Sequence, residues 1–227
     1  MGDEIRAARR RRITNNIITI TVGQGPESEK FLVHDFLLKE NSKFFEAALN
    51  RQWIEGQEKK VNLPDDDPLI FSIYADWLFT GKIASKPEQL EQPEYEVNWP
   101  DVSEEQIIQA ELYVLGEKLM DDAFCDCILR ALVEVGKMKA WIGHEGYMPC
   151  RTAIRIIYNG TTHDSPMRKF LVDMYGYHGG KESFTEANVY GYPQEFLAGL
   201  VGSLIAKRDG QTAENPEDNL KPYFKCN

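Results

Sequence analysis

The sequence predicts an α+β fold: a small sheet with helices clustered around it, followed by an all-helical extension. Three observations carry that reading. Short β-branched runs cluster near the start of the chain. Apolar residues at helical spacing recur from there to about residue 135. Beyond residue 136 the ordered-looking segments read as helices separated by polar and glycine-rich stretches. At ~100–200 residues per domain, 227 residues make one large domain or one domain with an appendage. A chain of that size buries enough surface to need no metal or disulfide staple.

The first element is Ile13-Thr14-Asn15-Asn16-Ile17-Ile18-Thr19-Ile20-Thr21-Val22, where Ile18, Ile20 and Val22 alternate with threonines as in a half-buried strand. A turn over 23–29 leads to the returning strand Lys30–His34. Two short helices follow, Asp35–Glu40 and Lys43–Asn50, the second capped by Ser42. Arg51 to Lys59 is polar apart from Trp53 and Ile54 and reads as a loop, before a third strand at Lys60–Leu63. Asp65-Asp66-Asp67-Pro68 marks a helix start, and Leu69–Thr80 presents Phe71, Tyr74, Ala75 and Leu78 on one face, widened by Ile70, Ile73 and Trp77. Gly81 supplies the stop.

Residues 85–105 hold Pro87, Pro93 and Pro100, seven acids and one lysine, so they read as an exposed acidic loop. Helices resume over Glu104–Met120 and Asp122–Val135. In the extension, 136–208, helices are expected at Cys150–Tyr158, Pro166–Tyr175 and Pro193–Lys207, with Gly176–Tyr192 as loop. Residues 209–227 are polar and expected to form a flexible tail.

Charge narrows the function classes. The formal net charge is -10 and the pI near 5.0, which disfavours general nucleic-acid binding. Residues 1–12 depart from this, with five arginines (Arg6 and Arg9–Arg12) against Asp3 and Glu4. Such a basic tail fits a solvated end, a nuclear-import tag or a weak phosphate clamp. No apolar run approaches the ~20 residues of a membrane span, and MGDEIRAARRRR has no apolar signal core. Four cysteines then point to reduced thiols in the cytoplasm or nucleus.

No catalytic constellation assembles. His34, His144, His163 and His178 have no metal-pair spacing, and no metal or cofactor is expected. His34, at a strand end, reads as hydrogen-bonded structure. Cys125 and Cys127, two apart on a helix, point to different sides and read as small buried hydrophobes. Gly179-Gly180-Lys181-Glu182 fails as a phosphate loop, because Tyr175 stands where the first glycine belongs and Glu182 where Ser or Thr belongs. Ser165-Pro166-Met167-Arg168 fits either a helix cap or a proline-directed phosphorylation site at Ser165, the cap being favoured.

The order of elements resembles the BTB/POZ domain over residues 13–135. The likeness lies in Phe31-Leu32-Val33-His34 followed by Leu37-Leu38 and Ser42-Lys43-Phe44-Phe45. It continues in Val61-Asn62-Leu63-Pro64-Asp65-Asp66-Asp67-Pro68, in Trp77-Leu78-Phe79-Thr80-Gly81-Lys82-Ile83, and in Leu112-Tyr113-Val114-Leu115-Gly116-Glu117-Lys118-Leu119. The remainder, with Asn159-Gly160-Thr161 and Ser165–Asp173, looks like the helical extension of fungal BTB proteins. The resemblance implies a protein–protein interaction module and no enzyme, cofactor or small-molecule substrate. Many such domains are adaptors for cullin-RING ubiquitin ligases; others are oligomerisation scaffolds, and both readings stand for this chain. In cullin-binding members the loop before the third strand carries an apolar-x-Glu motif, matched here by Trp53, Ile54 and Glu55. An aromatic anchor could fill a partner's pocket while the carboxylate meets a donor at the rim; the alternative is that Trp53 folds back onto its own domain. The resemblance further implies a homodimer using Ile5 and Leu37, although Arg9–Arg12 stand where an apolar N-terminal helix is usual.

Overall fold

A computed structural model describes residues 16–50, 53–86, 99–137, 148–186, 189–210 and 214–226. Within them the fold is α+β, with a three-stranded sheet and nine helices. The sheet order is β2-β1-β3. Strand β1 (Ile17–Val22) pairs antiparallel with β2 (Glu29–His34), from Ile17 opposite His34 to Val22 opposite Glu29. It pairs parallel with β3 (Lys60–Leu63), Thr19 standing opposite Lys60. A parallel neighbour needs a crossover, and three short helices supply it: α1 (Asp35–Asn41), α2 (Lys43–Ala48) and α3 (Ile54–Glu58). The period-2 pattern of β1 turns Ile18, Ile20 and Val22 into the core, and Val61 and Leu63 join them from β3.

Local signals set the helix starts. Ser42 caps α2 by accepting from Phe45 N at 3.1 Å, while its hydroxyl donates to Leu119 O at 2.6 Å. Asp67 caps α4 (Pro68–Thr80) by accepting from Leu69 N and Ile70 N, and Gly81 ends that helix at φ +69°, a left-handed conformation that glycine adopts without a Cβ penalty. The expected apolar residues of α4 are all buried, and Tyr74 and Trp77 each meet Phe124 with ring centroids 4.9 Å apart.

Helix α5 (Trp99–Lys118) is the axis of the molecule. It packs against α4, against α6 (Asp122–Gly136) and against α7 (Arg151–Gly160). Helix α8 (Pro166–His178) then holds α9 (Gln194–Arg208). One apolar core runs from Ile18 in the sheet through Leu112 and Leu129 to Ile154, Phe170 and Phe196, so the helical extension shares the core of the first half.

Three expectations are corrected. Residues 54–58 form a short helix inside the expected loop, because Gly56 lets α3 lie on the Asn50 carbonyl, where a Cβ would come within 2.3 Å of that oxygen. The acidic segment expected to stay open over 85–105 is helical from Trp99, and Val102 is fully buried; residues 87–98 lie outside the described residues. The expected flexible tail is packed over 214–226. There Tyr223 meets Phe170 at 5.3 Å and donates from its hydroxyl to Asp173 at 3.0 Å, and Arg130 lies 4.5 Å over the ring of Phe224. Asp126, buried on α6, accepts from Lys225 N at 2.7 Å and from Cys226 N at 3.0 Å. The two backbone N–H groups satisfy a carboxylate that burial would otherwise penalise.

Candidate protein-binding site

The three residues singled out for cullin binding sit together at the head of α3. Trp53 takes the N-cap position with extended backbone, its N–H donating to Asn50 O at 2.9 Å, and Ile54 and Glu55 open the helix. Lys59 closes α3 in the left-handed region, φ +56°, and its carbonyl accepts from Thr19 N at 3.0 Å, so the platform is tied directly to β1. Trp53 does not fold back. It is 62% exposed and Ile54 69%, and Glu55 is exposed beside them. Two large apolar side chains and a carboxylate are thus exposed together on one turn that is hydrogen-bonded to Asn50 and β1.

Of the two residues named for dimer formation, one is described. Leu37 is half-buried on α1 and packs against the core. Ile5, with the arginine run of 1–12, lies outside the described residues.

Ser165 stands at the N-cap position of α8 but makes no capping bond. It is buried, and its hydroxyl donates to Glu117 Oε1 at 2.7 Å, an oxygen that Lys225 Nζ also approaches at 3.2 Å. Helix α8 is secured instead by Arg168. Its guanidinium donates to the carbonyls of Tyr158 and Thr161 at the end of α7, to the Thr161 hydroxyl and to Glu195 on α9, and lies 4.6 Å over the Tyr158 ring. A cation at a helix C-terminus is favoured by the unsatisfied carbonyls there.

Other titratable groups are held inside the fold. Asp121 caps α6 through Phe124 N at 2.9 Å and accepts from Tyr74 OH at 3.0 Å; burial pushes its carboxyl up to about 6. Glu105 is raised by burial and accepts from Ser85 and Gln109. The Cys125 thiol is buried and pushed up by desolvation, as expected of a small hydrophobe, whereas Cys226 is exposed. His34 departs from expectation: its ring lies against Phe36 and Phe79, and its Nδ1 is buried without a hydrogen-bond partner. Among the described residues, a cavity of ≈ 10 Å³ lined by Gln106, Gln109, Leu132, Ala153, Met167 and Leu171 has room for one water molecule. No described helix is long and apolar enough to cross a membrane.

Sequence reasoning located the α3 residues but missed Arg168, Asp121 and Asp126. Arg168 and Asp126 are polar residues on predicted helices whose partners come from other elements, and nothing in their own neighbourhood marks them; Asp121 falls between two predicted helices, with a local cap partner in Phe124 N but its second partner, Tyr74, 47 residues away. Compared with known proteins, the chain matches no family model and no curated protein.

Proposed function

We propose that this protein is a protein–protein adaptor of the BTB/POZ type that presents α3 to a cullin, working in the cytoplasm or nucleus without a catalytic step. The observation that carries the reading is the exposure of Trp53 and Ile54 on a turn anchored to β1 and Asn50, in a domain whose core is complete without them. Support also comes from the order hairpin, helix pair, third strand and capped α4, the order on which the resemblance rests, with α3 added before the third strand. A scaffold that only oligomerises is the second reading. It is favoured by Leu37, which keeps part of its surface open on α1.

Titration calorimetry against a panel of cullin N-terminal domains tests the adaptor. Trp53→Ala should weaken binding by about 2 kcal/mol or more, as truncated interface aromatics do, while leaving the melting temperature within a degree or two, because so exposed a side chain contributes little to folding. Glu55→Lys should weaken it further through an unpaired charge at the rim. A stable wild-type protein that binds no cullin removes the adaptor and leaves the scaffold.

A further inference from the structure

The segment 214–226 is held to the body of the protein by side chains. Its described backbone–backbone hydrogen bonds all stay within it, from Asp218 N to Asn215 O, Tyr223 N to Leu220 O and Phe224 N to Lys221 O. Its regular structure among the described residues is one 3-10 turn, Lys221–Tyr223, after which Phe224 is extended.

Four consecutive residues then each meet a separate partner on α5, α6 or α8. The Tyr223 ring lies 5.3 Å from that of Phe170 and 4.6 Å under Lys169 Nζ, and its hydroxyl donates to Asp173 at 3.0 Å. Phe224 lies under the Arg130 guanidinium. Lys225 Nζ reaches Glu117 Oε1 at 3.2 Å. The N–H groups of Lys225 and Cys226 both go to Asp126, so the last position is read through backbone. Cations thus face the two rings and a carboxylate faces the lysine, a pattern that specifies aromatic, aromatic, lysine and one further N–H. Stability alone does not call for it. A buried carboxylate contributes no more to folding than a well-packed apolar residue of its size, and Asp126 is buried.

We propose that the surface α5, α6 and α8 turn to residues 223–226 is a peptide-recognition site, filled in cis by the chain's own end, and that it takes in their place an extended segment of another protein with the chemistry Tyr-Phe-Lys. The tethered end is a built-in competitor, present at an effective concentration on the order of millimolar, so a partner enters only when it has lifted away. A segment held by so few groups opens at lower cost than the whole fold. The site is separate from α3, and its test does not involve cullin.

Tyr223→Ala in the full chain should weaken the cis occupant. The probe is a fluorescein-labelled peptide in which Tyr-Phe-Lys-Ser stands between glycine–serine flanks unrelated to this chain. By fluorescence anisotropy it should bind the Tyr223→Ala protein roughly tenfold or more tightly than wild type. The same peptide with Glu for Lys should lose that binding, because it sets an acid against Glu117. Lys225→Ala is a second way to loosen the end, and circular dichroism and melting temperature report whether each variant folds. Loss of the fold in both variants makes the segment an integral part of the core and overturns the proposal. So does a folded variant that does not bind the peptide, a wild-type protein that binds it as tightly as the variants do, or equal binding of the Lys and Glu peptides.

Discussion

Replacing Asp121 with asparagine should make the pH dependence of stability visible at one residue. The carboxyl is fully buried in the turn between α5 and α6, holding Phe124 N with one oxygen and Tyr74 OH with the other. Both bonds favour the ionised form, yet burial outweighs them and lifts the pKa from 3.8 to about 6. Below 3.8 the acid is protonated in the folded and unfolded chains alike, and the site costs nothing. Between 3.8 and 6 the unfolded chain releases its proton while the folded chain keeps it, so stability falls as pH rises. Above 6 both are ionised and the penalty is constant, at roughly 3 kcal/mol from 1.36 kcal/mol per pH unit. The amide of Asp121→Asn keeps an oxygen for Phe124 N and carries no charge. Urea unfolding of both proteins from pH 4 to 7.5 should therefore show the variant gaining ~2 kcal/mol on the wild type between pH 4 and 6.5. Tyr74→Phe, which removes a donor to the carboxylate, should move the midpoint of that gain to higher pH. A stability difference that stays flat within ~0.5 kcal/mol across the range would refute the reasoning.

Ser165→Asp should destabilise by about 3 kcal/mol or more, because it places a second carboxylate beside Glu117 in a buried position, whereas Ser165→Ala should cost ~1 kcal/mol; chemical denaturation compares them. Gly56→Ala should lower stability by about 1–3 kcal/mol and displace α3, since its Cβ would collide with Asn50 O, and binding through Trp53 should weaken in parallel. In the folded protein a disulfide reagent should modify Cys226 well before Cys125, which should react only at the rate of unfolding, as read by mass spectrometry after timed quenching.

What was legible in the sequence was what short-range chemistry determines. Helix α4 is the clearest case: an Asp cap, a proline in the first turn, seven apolar residues at helical spacing and a terminal glycine place it within a residue of its observed bounds. Helix α3 was illegible, because five residues with little apolar content fold only where Gly56 settles on the Asn50 carbonyl. The start of α5 was hidden by its own composition. Pro100 and Asp101 read as loop residues, yet both belong in the first turn of a helix, where a missing N–H is harmless and negative charge is favoured. At the candidate site, Trp53 and Ile54 stood out because no strand or helix period would bury them, and they are exposed. The packing of 214–226 left no local mark. Its anchors are Asp126 and Phe170, and a polar stretch gives no sign of partners so far away.

The distance between Asp126 and its two backbone donors is also an interval in time. The donors lie 99 and 100 residues further along the chain. At ~5–20 residues per second, translation takes roughly 5–20 s to reach them after Asp126 has been made. During that interval α6 can settle on α5 only with a carboxylate left in an apolar setting, or with that part of its surface still open to water. The first half of the chain therefore emerges from the ribosome with one seam unsealed. The seam closes only when the segment carrying Tyr223, Lys225 and Cys226 arrives.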